Sequence, residues 1–185
     1  IEGIQFRLID TAGIKAATKL ASPVEYFSRL RSLDAVKKTD VVFVVLDAFE
    51  GVTQQDKAIA GEAVKEGKPI VVVVNKWDLV EAQRKTSEYI DYLTQELFAL
   101  DFAPLVFISA EKSEGVGELI RVCSNLFKQA NHRETTGRLN AAIRSVLTER
   151  GPSSRLGTKA KIFYVSQIAT QPPTIAVVVN KPELF

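Results

Sequence analysis

Ile70-Val71-Val72-Val73-Val74-Asn75-Lys76-Trp77-Asp78 is the stretch that decides the fold. Five consecutive branched apolar residues with no polar alternation read as a parallel strand covered on both faces. In such sheets ligands sit beyond the carboxyl ends of the strands, which is where Asn75 and Asp78 fall. A carboxylate placed there can accept two hydrogen bonds, from the N1-H and the exocyclic NH2 of a guanine. Adenine offers no such pair of donors on that edge, so one Asp selects the base. Asn75 can tie this loop to its neighbours, and the Lys76 stem can lie along the purine face. Trp77 reads as packing under the loop.

Two further stretches stand in matching positions. Asp10-Thr11-Ala12-Gly13 ends an expected strand over residues 5–10, and Ser109-Ala110 ends another over residues 105–108. NKxD alone would recur by chance, whereas DTAG, NKWD and SA, each after its own strand, form a specific set. The set resembles the translation-factor-like P-loop GTPases. That resemblance implies catalytic roles for Asp10 and Gly13. Asp10 would reach Mg²⁺ through a water, and Gly13 would bring its N–H to the γ-phosphate of GTP. It also implies that Asn75, Lys76 and Asp78 read guanine and that the backbone of Ser109 and Ala110 contacts the guanine oxygen. Ile14 follows the DTAG run where Ras-like relatives carry a Gln, so the attacking water must be oriented by another group. GTP or GDP and Mg²⁺ are the cofactors implied, with a monovalent cation as a further candidate.

One motif is missing. No G-x-x-x-x-G-K-[ST] occurs in the 185 residues, so they contain neither that phosphate cradle nor its Mg²⁺-binding hydroxyl. Residues 151–158 look superficially similar but have the wrong glycine spacing and no Lys-Ser/Thr. DTAG begins at the tenth residue, so the sequence reads as a piece that starts inside a G domain, after the P-loop and switch I. Taken alone it is expected to be inactive.

Hydrophobic residues at 46% and charged ones at 25% are ordinary for a globular chain. The single cysteine, Cys123, lies in an apolar helical pattern; it points to inert packing, a reducing compartment and no disulfide framework. No signal peptide or membrane span is evident, and a cytoplasmic location is expected. His132, the only histidine, reads as a solvated residue, and no nucleophile triad or His/Cys metal cluster can be assembled around it. The net charge of +2 divides unevenly: residues 1–130 carry 16 Lys and Arg against 19 Asp and Glu, and residues 131–185 carry 8 against 3. A basic second segment fits an acidic partner, nucleic acid above all, or a solvated face.

Along the chain, strands are expected over 5–10, 41–46, 69–74 and 105–108, with helices over 23–38, 53–66, 87–100 and 117–129. Asp47 reads as a turn cap and residues 111–117 as a turn feeding a helix. Residues 131–137 read as a linker. A helix over 138–150 and a hairpin of 161–168 with 174–179, joined by a longer turn, follow it.

Details narrow the resemblance. Asp10-Thr11-Ala12-Gly13-Ile14-Lys15, Leu46-Asp47-Ala48-Phe49-Glu50-Gly51, Thr53-Gln54-Gln55-Asp56 and Val74-Asn75-Lys76-Trp77-Asp78-Leu79 are similar to the second G domain of the Der (EngA) GTPases. Lys161-Ile162-Phe163-Tyr164, Gln171-Pro172-Pro173-Thr174 and Asn180-Lys181-Pro182-Glu183-Leu184-Phe185 are similar to that family's carboxyl-terminal KH-like domain. The likeness implies an α/β fold: a partial P-loop GTPase domain over 1–130, mostly parallel sheet with helices on both faces. A partial α+β KH-like domain, truncated at its carboxyl end, follows over 131–185. It implies a GTP-hydrolysing ribosome biogenesis factor with tandem G domains, acting in maturation of the large subunit. The partners implied are ribosomal RNA and the large ribosomal subunit, with the G domain docking on the KH-like domain in an otherwise monomeric protein. The KH-like segment lacks a G-x-x-G loop, so RNA gripping by that loop does not carry over. The alternative is a non-hydrolysing RNA-binding or protein-interaction module that retains nucleotide loops, and residues upstream of Ile1 would discriminate.

Overall fold

The computed structural model describes residues 5–10, 34–150 and 161–182. Gly13, Ile14, most of the helix expected over 23–38, and residues 151–160 and 183–185 lie outside them. The chain divides into two compact units, Ile1–Lys128 and Gln129–Phe185.

A parallel sheet carries the first unit. Strands β1 (Val42–Asp47), β2 (Ile70–Asn75) and β3 (Leu105–Phe107) lie in that order, with β2 central. The register pairs Val42 with Ile70 and runs to Asp47 opposite Asn75. On the other side Val72, Val73 and Val74 face Leu105, Val106 and Phe107. The unbroken apolar run of β2 follows from having two covered faces. Ile70, Val72 and Val74 pack with Val44, Leu46, Ala60, Ala63, Tyr89 and Leu93, while Val71 and Val73 pack with Val106, Ile108 and Leu119. The first face is thus covered by helices α1 (Gln54–Lys65) and α2 (Thr86–Glu96), and the second by α3 (Val116–Ala130).

Local signals explain the boundaries. Thr53 caps α1: its hydroxyl accepts from Asp56 N at 3.3 Å, and the Asp56 carboxylate accepts from Thr53 N at 2.8 Å. α2 stops at Glu96, short of the expected residue 100. A single 3₁₀ turn, Phe98–Leu100, replaces its last turn, and both Leu97 and Leu100 are buried.

The strand expected over residues 5–10 is not formed. That segment has no regular structure and is exposed, with Leu8 84% accessible. A strand is held by a ladder, and among the described residues every ladder bond of β1 goes to β2.

In the second unit, α4 (Thr136–Arg150) packs beside a hairpin of β4 (Ile162–Thr170) and β5 (Pro173–Val179). The helix starts two residues earlier than expected, because Thr135 Oγ1 accepts from Arg138 N at 3.4 Å and supplies the cap. The hairpin turn is also tighter than expected. Pairing continues to Thr170 opposite Pro173, leaving only Gln171-Pro172, joined by a cis peptide bond, at the tip. Bulges between Ile162 and Tyr164 and between Gln167 and Ala169 shift the register along the way.

Side-chain amides join α4 and its approach to β4. Asn140 Nδ2 donates to Val165 O at 2.9 Å, and Asn140 Oδ1 accepts from Val165 N at 3.2 Å. The buried Gln167 accepts from Glu134 N at 2.8 Å and donates to His132 O at 3.4 Å, and Arg133 Nη2 donates to Gln167 O at 2.9 Å.

Candidate functional site

Three loops converge at the carboxyl ends of β1, β2 and β3. Asn75 joins them: its main-chain oxygen accepts from Ala48 N at 2.9 Å, and its side-chain Oδ1 accepts from Ala110 N at 3.0 Å. Trp77 N donates to Ile108 O at 3.1 Å, a further tie between the second and third loops. The Trp77 ring packs 4.5 Å from Phe107 and 5.3 Å from Tyr89, centroid to centroid, as part of the wall beneath the loop. Lys76 adopts a left-handed backbone at φ 60°, a conformation uncommon outside glycine.

Asp78 lies in the short 3₁₀ turn Trp77–Leu79, its side chain 8% exposed. A hydrogen bond from the side chain of Ser109, then the ammonium of Lys112 at 3.1 Å, hold its carboxyl below the usual carboxylate range. Asp78 raises the Lys112 pKa in return. Asp78 is therefore ionised at neutral pH, and as an acceptor-only group it suits a ligand edge bearing two N–H donors. Ser109 is itself buried and accepts from Lys112 N at 3.3 Å. The 109–115 loop closes through reciprocal bonds between Ser109 and Glu114. Gly115, at φ +73°, has no room for a side chain, since a Cβ there would stand 2.3 Å from Phe107 O.

The first loop is anchored separately. Asp47 Oδ1 accepts from Phe49 N at 2.9 Å and Glu50 N at 3.4 Å, and Asp47 Oδ2 lies 2.6 Å from Lys76 Nζ. The hydrogen bond from Lys76 is the main reason that the Asp47 carboxyl sits low, and Asp47 raises the Lys76 pKa. Tyr89 hydroxyl donates to Ala48 O at 3.2 Å, and Tyr92 hydroxyl accepts from Val52 N at 2.9 Å. Burial of Tyr89 pushes its phenol pKa upward.

The loops thus bring together Asn75, Lys76, Asp78, Ser109 and Ala110. Asp10 lies on the exposed irregular segment 5–10, and Gly13 lies outside the described residues. The Ala110 N–H is already donated to Asn75, so a base oxygen at that point would have to share the donor. Among the described residues, no group of three or more His, Cys, Asp or Glu could hold a metal ion, and no helix is long and apolar enough to cross a membrane. Cys123 is buried, with its thiol pKa raised by burial alone. His132 is mostly exposed, 3.4 Å from Glu134. Sequence reasoning did not find the ionic roles of Asp47 and Lys112. The strand register could have suggested Asp47, which ends level with Asn75, but nothing in the spacing marks Lys112.

Comparison with known proteins sharpens this picture. Residues 2–129 match the elongation factor Tu GTP binding domain family, and residues 133–185 match the KH-domain-like family of the carboxyl-terminal part of EngA bacterial GTPases. The first unit is thus a GTP-binding domain by family, with a helix-covered parallel sheet to match. Curated relatives include GTPase Der of Caldanaerobacter subterraneus subsp. tengcongensis, 38% identical over all of this chain and 42% of its own length. GTPase Der of Halothermothrix orenii is 42% identical over 98% of this chain and 42% of its own length. The chain belongs to the Der (EngA) family of GTPases and spans less than half the length of these relatives. A crystal structure of Era from Aquifex aeolicus, bound to GDP·AlF4⁻, is similar in fold: TM-score 0.55, 22% identity, covering 95% of this chain and 62% of that one.

Proposed function

We propose that this chain contributes the base-reading half of a GTP-hydrolysing site, in a ribosome biogenesis factor acting on the large subunit. The observation that carries the reading is the ionised, enclosed Asp78, held by Ser109 and Lys112 beside the Asn75–Ala110 tie. Asp78 accepts from the guanine N1-H and NH2, the Lys76 stem lies along the purine, and Asn75 keeps the loops in register. Residues 1–130 form the rear of the second G domain and residues 131–185 the front of the KH-like domain.

Asp10 and Gly13 act at the γ-phosphate, Asp10 through a water on Mg²⁺. A metal arriving with the nucleotide would supply charge neutralisation at the phosphates, and a monovalent cation would assist. The excess of basic residues in 131–185 supports contact with ribosomal RNA, in a cytoplasmic monomer.

Calorimetry of the full-length gene product with GTP, GDP and ATP tests this. Guanine-selective, Mg²⁺-dependent binding and phosphate release from GTP are expected. Residues 1–185 alone should bind GTP weakly, since they contain no G-x-x-x-x-G-K-[ST] and a phosphate cradle supplies most of the charge-assisted bonds. Equal affinity of the full-length product for ATP and GTP would overturn the reading. RNA binding without nucleotide binding would favour the non-hydrolysing alternative.

A further inference from the structure

Asp47 stands apart from the residues that would touch the base, yet it is built into the same corner. Its two carboxylate oxygens do different work. Oδ1 caps its own turn through Phe49 N and Glu50 N, and Oδ2 receives the ammonium of Lys76 at 2.6 Å. The turn it caps is fixed from several directions. Ala48 is fully buried, its N–H donates to Asn75 O, and its carbonyl accepts from the buried Tyr89 hydroxyl. Gly51 N donates to Asp47 O at 2.9 Å, and Gly51 sits at φ +78°, so close to Tyr92 that a Cβ would meet the hydroxyl at 2.8 Å. Val52 N donates to that same hydroxyl. The platform under Asp47 is therefore rigid.

Lys76 is the opposite case. Its side chain is 55% exposed and leaves a left-handed backbone. A long lysine stem of that kind samples many rotamers, and ordering it on a ligand costs entropy at the moment of binding. Clamping the ammonium at one end removes most of that freedom beforehand.

We propose that Asp47 is a positioning residue for guanine-nucleotide binding, acting through the ammonium of Lys76 to pre-set the lysine stem against the purine face. The proposal rests on the base-reading role given to Lys76 and Asp78 above. Because both Asp47 carboxylate oxygens are already taken, by its own turn and by Lys76, its loss should weaken purine nucleotides alike, whatever groups the base edge carries.

The test uses the full-length gene product with GDP and inosine diphosphate, which lacks the exocyclic NH2, and affinities are read at the one of its two G-domain sites that Asp78→Asn alters. Asp47→Asn keeps an oxygen to cap the turn but loses the charge that holds Lys76, so the melting temperature should stay near wild type. Affinity for both nucleotides should fall about fivefold, the scale of one partly exposed ion pair, with their ratio unchanged. Lys76→Met should produce the same loss, and adding Asp47→Asn to it should produce no more. Unchanged affinity in Asp47→Asn overturns the proposal. So does an equal further loss in the Lys76→Met background, or a shifted GDP to inosine diphosphate ratio. Asp78→Asn, measured alongside, separates the two levels. If it changes that ratio while Asp47→Asn is silent, the base-reading assignment stands and only the role of Asp47 fails. If neither the wild type nor the variants bind either nucleotide, the base-reading assignment itself fails.

Discussion

Lys112 Nζ lies 3.1 Å from Asp78 Oδ2, pairing the exposed third loop with a carboxylate that is only 8% accessible. The pair has a pH signature. The folded-state pKa of Asp78 is lowered, first by Ser109 and then by Lys112. Its stabilisation is therefore complete above the unfolded carboxylate pKa of about 3.9 and is lost as pH falls through the lower folded value. Lys112→Met should remove part of that dependence. Urea midpoints between pH 5 and pH 3 should fall less steeply in the variant than in the wild type, and parallel profiles would show that the pair contributes nothing.

Asp78→Asn in the full-length gene product should weaken GTP and favour xanthosine triphosphate. Xanthine presents an oxygen where guanine has NH2, and an amide can donate to that oxygen. Sites built on such bonds discriminate by roughly 10⁴–10⁵. Competition binding with both nucleotides is the measurement, and xanthosine triphosphate binding no tighter than in the wild type would take Asp78 out of base recognition.

Gly51→Ala should destabilise the protein by about 1–2 kcal/mol, the usual cost of a left-handed backbone for a residue with a Cβ. The Tyr92 hydroxyl, 2.8 Å from that Cβ, adds a clash. Adding Tyr92→Phe removes the clash but also the acceptor for Val52 N, so the double variant should recover little. A wild-type unfolding midpoint for Gly51→Ala would contradict this account of the turn.

Ribosomal RNA binding by the full-length gene product should weaken steeply with salt. Each phosphate neutralised by Arg138, Arg144, Arg155, Lys159 or Lys161 should add about 0.7–0.9 to the log-log slope. Arg138 also stands 3.4 Å from Glu134, an i,i+4 pair on an exposed surface, so its contribution should be the smallest. Charge reversals at these positions that leave the slope unchanged would favour docking on an acidic protein surface instead.

The elements most legible in the sequence were those whose pattern is dictated locally. The Ile70–Asn75 run announced a doubly covered strand, because burial on two faces leaves a direct mark on residue type, and the helix expected from residue 53 does begin there, with Thr53 as its cap. That Asn75 ties its loop to a neighbour was legible too, since an amide at a strand end has few other uses, but its partner, Ala110 N, was not. The ion pairs were not. Lys76 to Asp47 and Lys112 to Asp78 span 29 and 34 positions and depend on strand register and on the path of the third loop, which no local pattern encodes. The 5–10 segment failed in the opposite direction. Its apolar alternation suits a strand, but pairing is a property of neighbours, and its composition carries no information about whether a ladder is available.

The amide of Asn140 has a consequence for assembly. It occupies both the N–H and the C=O of Val165, and Arg133 occupies the C=O of Gln167. Those are the groups through which an incoming strand would add to β4, so helix α4 and its approach blunt that margin of the hairpin much as a covering loop blunts an open sheet. A strand adding along this margin of β4 has to displace the Asn140 amide from Val165 and the Arg133 guanidinium from Gln167.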